Sequence, residues 1–183
     1  LPANNLTELI ALAKSKPDQI SFASPGVGTT PHMVGELMNR ETGVRMLHIP
    51  YKGGAAAVTD LLSGTVNLFF EQPLTLLQHI KTGKLKALAV TGKTRHPQLP
   101  QVPTVAQAGL PNFELESWVA LYVPTGTPAA VIQKLSQDVK RSMESPETRQ
   151  RADQAGVEAR FLPPAEMTKL LERETATWAQ AIK

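Results

Sequence analysis

The stretch that decides the fold runs Ile20-Ser21-Phe22-Ala23-Ser24-Pro25-Gly26-Val27-Gly28-Thr29-Thr30-Pro31-His32. It reads as the end of a strand, a glycine-rich turn and the start of a helix. Gly26 and Gly28 admit positive φ and let a ligand approach the main chain closely. Thr29 or Thr30 suits the N-cap, and Pro31 falls in the first helical turn, where its missing N–H is no loss. Glu36 lies in the body of the amphipathic helix that follows. A helix that starts in such a loop turns free N–H groups and the positive end of its dipole toward an anion. The same segment also fits an ordinary βα turn, so the surrounding chain has to decide between the two.

Upstream, Leu6, Leu9, Ile10 and Ala13 carry helical spacing over Asn5–Lys16. A strand is expected over Ile20–Ala23 and a helix over Pro31–Thr42, with Met33, Val34, Leu37 and Met38 toward a core and Gly43 as its stop. The pattern then repeats. A strand over Val44–Ile49 leads through Pro50-Tyr51-Lys52-Gly53-Gly54 into a helix over Ala55–Ser63, ended by Gly64. The apolar run Val66–Phe70 reads as a buried parallel strand. It is followed by Glu71-Gln72-Pro73, a helix over Leu74–Thr82 and a further apolar strand over Leu85–Thr91. Strands and helices alternating with short connections predict an α/β fold with a parallel sheet and right-handed crossovers. Ligands of such sheets bind beyond the carboxyl ends of the strands.

After Gly92 the chain turns polar and proline-rich, with Pro97, Pro100, Pro103 and Pro111. A short helix is expected at Thr104–Ala108, then a strand over Glu116–Val123 bearing Trp118 and Tyr122. The turn Thr125-Gly126-Thr127-Pro128 opens a long amphipathic helix over Ala129–Met143, and Ser145-Pro146-Glu147 caps a shorter one to Ala155. A strand near Glu158–Phe161 and a helix over Pro164–Ile182 close the chain.

Composition narrows the function. Of 183 residues, 42% are hydrophobic and 19% charged, which supports a packed core. The net charge is only +3 and aromatics are 5%, so there is neither a basic stripe nor a stacking platform for nucleic acid. The absence of cysteine removes disulfides, thiol nucleophiles and thiolate metal sites. His48, His79 and His96 are too dispersed for a metal triad and read as surface or capping side chains. No apolar run approaches the roughly 20 residues of a membrane span, and no signal peptide is visible. The chain opens at Leu1 without Met, as a processed or truncated product would. No nucleophile elbow, Walker A pattern or zinc-protease motif is present.

The order of motifs resembles one family. Ser21-Phe22-Ala23-Ser24-Pro25-Gly26-Val27-Gly28-Thr29 is followed by His48-Ile49-Pro50-Tyr51-Lys52-Gly53-Gly54-Ala55 and Ala87-Leu88-Ala89-Val90-Thr91. Val102-Pro103-Thr104-Val105-Ala106-Gln107-Ala108-Gly109, Trp118 and Pro124-Thr125-Gly126-Thr127-Pro128 complete the series. Together they resemble the Bug-type solute receptors, the extracytoplasmic binding proteins of tripartite tricarboxylate transporters. The resemblance implies a type II, Venus-flytrap fold of the periplasmic-binding-protein kind, with a small carboxylate enclosed between two lobes. Relative to that pattern most of the first lobe is missing. Residues 1–116 would form the second, ligand-binding lobe, and residues 117–183 the hinge strand and the helices that return to pack on the first lobe.

The resemblance also assigns ligand loops. Ser24, Gly28, Thr29 and Thr30 match the first, where N–H groups and hydroxyls can hold a carboxylate; a plain helix cap is the alternative. His32, one turn in, either donates to a ligand oxygen as a neutral imidazole or bonds the loop. Gly54, Ala55 and Ala56 match the second loop, their small side chains leaving N–H groups accessible. Lys52 beside them adds charge or is simply solvated, and Tyr51 walls the pocket or packs the loop. Glu71, after the third strand, binds a ligand ammonium or hydroxyl, or caps the next helix. Trp118 and Trp178 read as core anchors.

The expected function is therefore a periplasmic receptor, not an enzyme and without a cofactor. It would bind a small carboxylate and present it to permease subunits of the transporter. Two other classes remain. One is a receptor remnant that dimerises through exposed C-terminal helices. The other is a nucleotide-cofactor enzyme, for which Gly26-Val27-Gly28 is suggestive, but Pro31 stands where a dinucleotide loop needs glycine.

Overall fold

The computed structural model describes residues 1–181. Its chain divides into two compact units, Leu1–Trp118 and the residues from Val119 onward.

The first unit is a three-stranded parallel sheet with helices. Its order of elements is α1 Leu6–Ser15, β1 Ser21–Ser24, α2 Thr30–Thr42, β2 Leu47–Pro50, α3 Gly54–Ser63, β3 Leu68–Phe69 and α4 Pro73–Lys81. The strands lie in the order β2-β1-β3, so the decisive stretch supplies the central strand. Ser21 pairs with Leu47 and Ser24 with Pro50 on one side, and Phe22 pairs with Leu68 on the other. A central strand is covered on both faces, and Phe22, Ala23 and Ser24 are fully buried.

Burial of a side chain such as Phe22 stabilises by roughly 1.5–3 kcal/mol. Its ring packs edge-on to Phe70 at 5.8 Å between centroids and flat against His48 at 5.0 Å. Around Ala23, Ala57 and Val66 a second cluster gathers Ile49, Tyr51, Leu61 and Phe69. The approach to β2 is pinned by one side chain. Asn39 of α2 donates to the Met46 carbonyl at 3.1 Å and accepts the Met46 N–H at 3.0 Å. This satisfies a backbone pair that no ladder reaches.

Helix limits follow the expected punctuation. Asn5 caps α1 by accepting the Glu8 N–H at 2.8 Å. Gly43 and Gly64 end α2 and α3 in the left-handed conformation, at φ 67° and 81°.

Several predicted elements are absent. The strand expected over Leu85–Thr91 is an extended segment that touches another at one parallel bridge, Val90 with Thr104. Val90 and Thr91 exchange their bonds with Pro103, Val105 and Leu115 rather than with β3. The apolar run exists because Ala87 and Val90 pack over Leu77, Leu99 and Val102. The helix expected at Thr104–Ala108 is a single turn. Thr104 Oγ1 accepts the Gln107 N–H at 3.1 Å while Gln107 Oε1 accepts the Thr104 N–H at 3.2 Å, a capping box with no helix to extend. No strand forms over Glu116–Val123 or Glu158–Phe161. Strand-like composition needs a partner edge, and Val119 stands 96% exposed with none.

The second unit holds α5 Ala129–Glu144, α6 Pro146–Ala155 and α7 Pro164–Ala181; Ile182, expected in the last helix, lies outside the described residues. Ser145 caps α6 by accepting the Thr148 N–H at 3.2 Å. α5 buries none of its residues, and its Val131 and Leu135 are exposed. Among the described residues no helix is long and apolar enough to cross a membrane.

Candidate functional site

Each parallel strand runs directly into a helix, so the starts of α2, α3 and α4 all lie beyond the carboxyl edge of one sheet. None of the three has a side chain capping its first turn. Thr29 is the N-cap of α2, but its Oγ1 turns back to donate to the Gly26 carbonyl at 2.7 Å. Gly53, at φ 107°, starts α3 with no side chain to offer. Uncapped first turns leave N–H groups for an outside acceptor and concentrate the positive ends of the helix dipoles.

The loops after β1 and β2 are zipped together. Tyr51 N–H donates to the Ser24 carbonyl at 2.9 Å, and Gly53 N–H donates to the Pro25 carbonyl at 3.2 Å. Tyr51 also donates its hydroxyl to Asp60 Oδ2 at 2.8 Å, fixing the second loop to α3. Burial, with the Asp60 carboxylate adding, pushes the Tyr51 phenol above its ordinary value. Tyr51 thus packs the loop.

Ser24 lies under the first loop. Its Oγ is 2.7 Å from His48 Nε2 and 3.0 Å from the Gly26 carbonyl, and it accepts the Gly26 N–H at 3.2 Å. The hydroxyl is fully engaged whichever way its proton points. Gly28, exposed and at φ 80°, donates its N–H to His32 Nδ1 at 3.2 Å. That acceptor role leaves the proton of the neutral ring on Nε2, which lies 3.8 Å from Glu36 Oε1. Thr30 is exposed at the first position of α2.

On the second loop, Gly54 is half-buried and Ala55 and Ala56 are exposed in the first turn of α3. Lys52 is exposed. Glu71 reaches across from β3: a Cβ on Gly54 would stand 3.3 Å from its Oε2, while its Oε1 accepts the Gln72 N–H at 2.7 Å. The structure thus joins Ser24, Gly28, Thr29, Thr30 and His32 to Gly54, Ala55, Ala56 and Glu71 along one sheet edge.

Sequence reading missed His48. Expected as a surface or capping residue, it is half-buried, stacked on Phe22, bonded to Ser24 and 4.1 Å from the His32 ring centroid. Burial holds it below the ordinary imidazole value, His32 adds to that, and Glu36 opposes. The available signal was register: parallel pairing sets His48 beside Phe22. No three His, Cys, Asp or Glu among the described residues gather as a metal site. An open hollow of about 480 Å³ lies elsewhere, lined in part by Asn4, Lys86 and Gln101.

All of residues 1–183 match the family described as tripartite tricarboxylate transporter family receptor. The chain belongs to that family. Its membership is one of solute receptors, and the α/β fold of periplasmic binding proteins comes with it. The UPF0065 protein in the tcbD-tcbE intergenic region of Pseudomonas sp. strain P51 is 35% identical over 97% of this chain. The chain spans about half of that relative's length, 53%. Among solved structures, R. palustris Rpa4515 with adipate superposes at a TM-score of 0.92 with 31% identity, over 99% of this chain and 60% of that one. The periplasmic binding protein BugD superposes at 0.89 with 35% identity, over 98% and 61%.

Proposed function

We propose that this chain carries the ligand-binding lobe of a periplasmic receptor that captures a small organic dicarboxylate and delivers it to the permease subunits of a tripartite tricarboxylate transporter. The observation that carries the reading is the set of uncapped helix starts at one sheet edge, with the exposed Gly28 and Thr30 on the first and Ala55 and Ala56 on the second. Backbone N–H groups there bind a carboxylate through charge-assisted hydrogen bonds of about 1.5–3 kcal/mol each. The adipate in one structural relative supports the dicarboxylate class.

Residues 1–116 are the lobe, and residues 117–183 the connection and the helices that return to a first lobe. The exposed Val119, Leu121 and Tyr122, with Val131 and Leu135 of α5, support that placement. The same exposed side chains favour a second reading, a module that pairs with another copy of itself.

A thermal-shift panel with adipate, succinate, citrate, phosphate esters and nicotinamide dinucleotides tests both. A ligand at 100 times its Kd stabilises by about 2.7 kcal/mol, a shift of several degrees at this size. A shift confined to carboxylates is expected. No shift, together with a concentration-dependent dimer in light scattering, would favour the second reading.

A further inference from the structure

Two groups at the first ligand loop mask each other. Gly28 N–H donates to His32 Nδ1, although the exposed Gly28 lies where an incoming anion would take that N–H. An anion oxygen that accepts from Gly28 and also meets a donor at His32 needs a proton on Nδ1. Two forms of the ring carry one. The neutral Nδ1–H tautomer would turn a bare Nε2 lone pair toward the Glu36 carboxylate, 3.8 Å away. The imidazolium keeps N–H on both nitrogens, one for the ligand and one toward Glu36.

We propose that His32 is the proton-coupled positioning residue of the carboxylate site: ligand binding breaks the Gly28–His32 bond, and His32 takes up one proton from solvent on Nδ1 as the anion bridges the two groups. The inference rests on the receptor reading above.

The titratable groups that face His32 support one proton, not two. Glu36 of its own helix stabilises the imidazolium. His48 of β2, with its ring centroid 4.1 Å away, would repel it if charged. His48 is backed by Phe22, bonded to Ser24 and resists protonation through burial, so it stays neutral beside the charged ring. β1 brings Phe22 and Ser24 against His48, and neither titrates.

Coupling has a sign. Binding that takes up a proton is tighter at low pH until the ligand's own carboxylates protonate. Uptake of one full proton makes adipate bind about tenfold tighter for each unit by which the pH is lowered.

The test is isothermal titration of the chain with adipate at several pH values, each in two buffers of different ionisation enthalpy, with His32→Asn alongside. The amide of Asn still meets Gly28 but takes up no proton. Near pH 7 the expected result is a net uptake approaching one proton in the wild type and none in the variant, whose affinity stays flat from pH 6 to 8. Adipate binding with no proton uptake overturns this inference alone. Absence of binding at every pH overturns the receptor reading and this inference with it.

Discussion

The Phe22 ring fills the space that a side chain on Gly35 would need: a Cβ built at Gly35 overlaps the ring edge. Helix α2 therefore lies against β1 at the distance only glycine allows. The sequence places Gly35 mid-helix, where it weakens the helix by about 1 kcal/mol relative to alanine. Close packing on a fully buried aromatic ring more than offsets that.

Gly35→Ala is expected to destabilise the chain by about 3 kcal/mol through overpacking, despite its better helix propensity. Urea denaturation measures this. A neutral or stabilising result would mean that Phe22 moves aside freely.

Asn39 closes both backbone groups of Met46, which is 5% exposed. Asn39→Ala leaves a donor and an acceptor without partners and is expected to cost about 1–3 kcal/mol. Asn39→Asp should restore only the acceptor half. Hydrogen exchange at the Met46 amide, faster in Asn39→Ala and still protected in Asn39→Asp, checks the assignment.

His48 makes stability fall in mild acid. Its folded pKa lies below the ordinary value because burial, then His32, disfavour its charge. Its contribution is therefore complete above the unfolded value of about 6.5 and is lost as pH falls through that value toward the folded one. Urea midpoints measured between pH 8 and 5 should show this decline, and His48→Asn should flatten it.

The alternation of strand and helix up to Lys81 was legible because periodicity and glycine stops are local signals. Strand limits were not: Ile20–Ala23 became Ser21–Ser24, and Val44–Ile49 became Leu47–Pro50. Asn39 rather than a ladder holds Met46, and no local pattern announces that. Leu85–Thr91 failed as a strand because an apolar run reports burial, not pairing. At the site, the loops of Gly28 and Gly54 were readable from glycine, threonine and proline. The contact of His32 with His48 was not, since residues 16 apart in sequence meet only through the β1–β2 register.

Glu71 stands against the start of α3, where the proposed ligand is an anion. Glu71→Gln removes a partly solvated like charge and is expected to tighten adipate binding about threefold, in line with the 0.2–1 kcal/mol of half-exposed charge pairs. Weaker binding would instead make Glu71 a direct ligand group.

The most direct measurement is an amide-resolved NMR titration of the chain with adipate. Saturable shifts centred on Gly28, Thr29, Thr30, Gly54, Ala55 and Ala56 are predicted, since these amides surround the first turns of α2 and α3. Shifts centred instead on Asn4, Lys86 and Gln101, around the other hollow, would contradict a carboxylate site at the helix starts. Unmoved amides at every adipate concentration would contradict it equally.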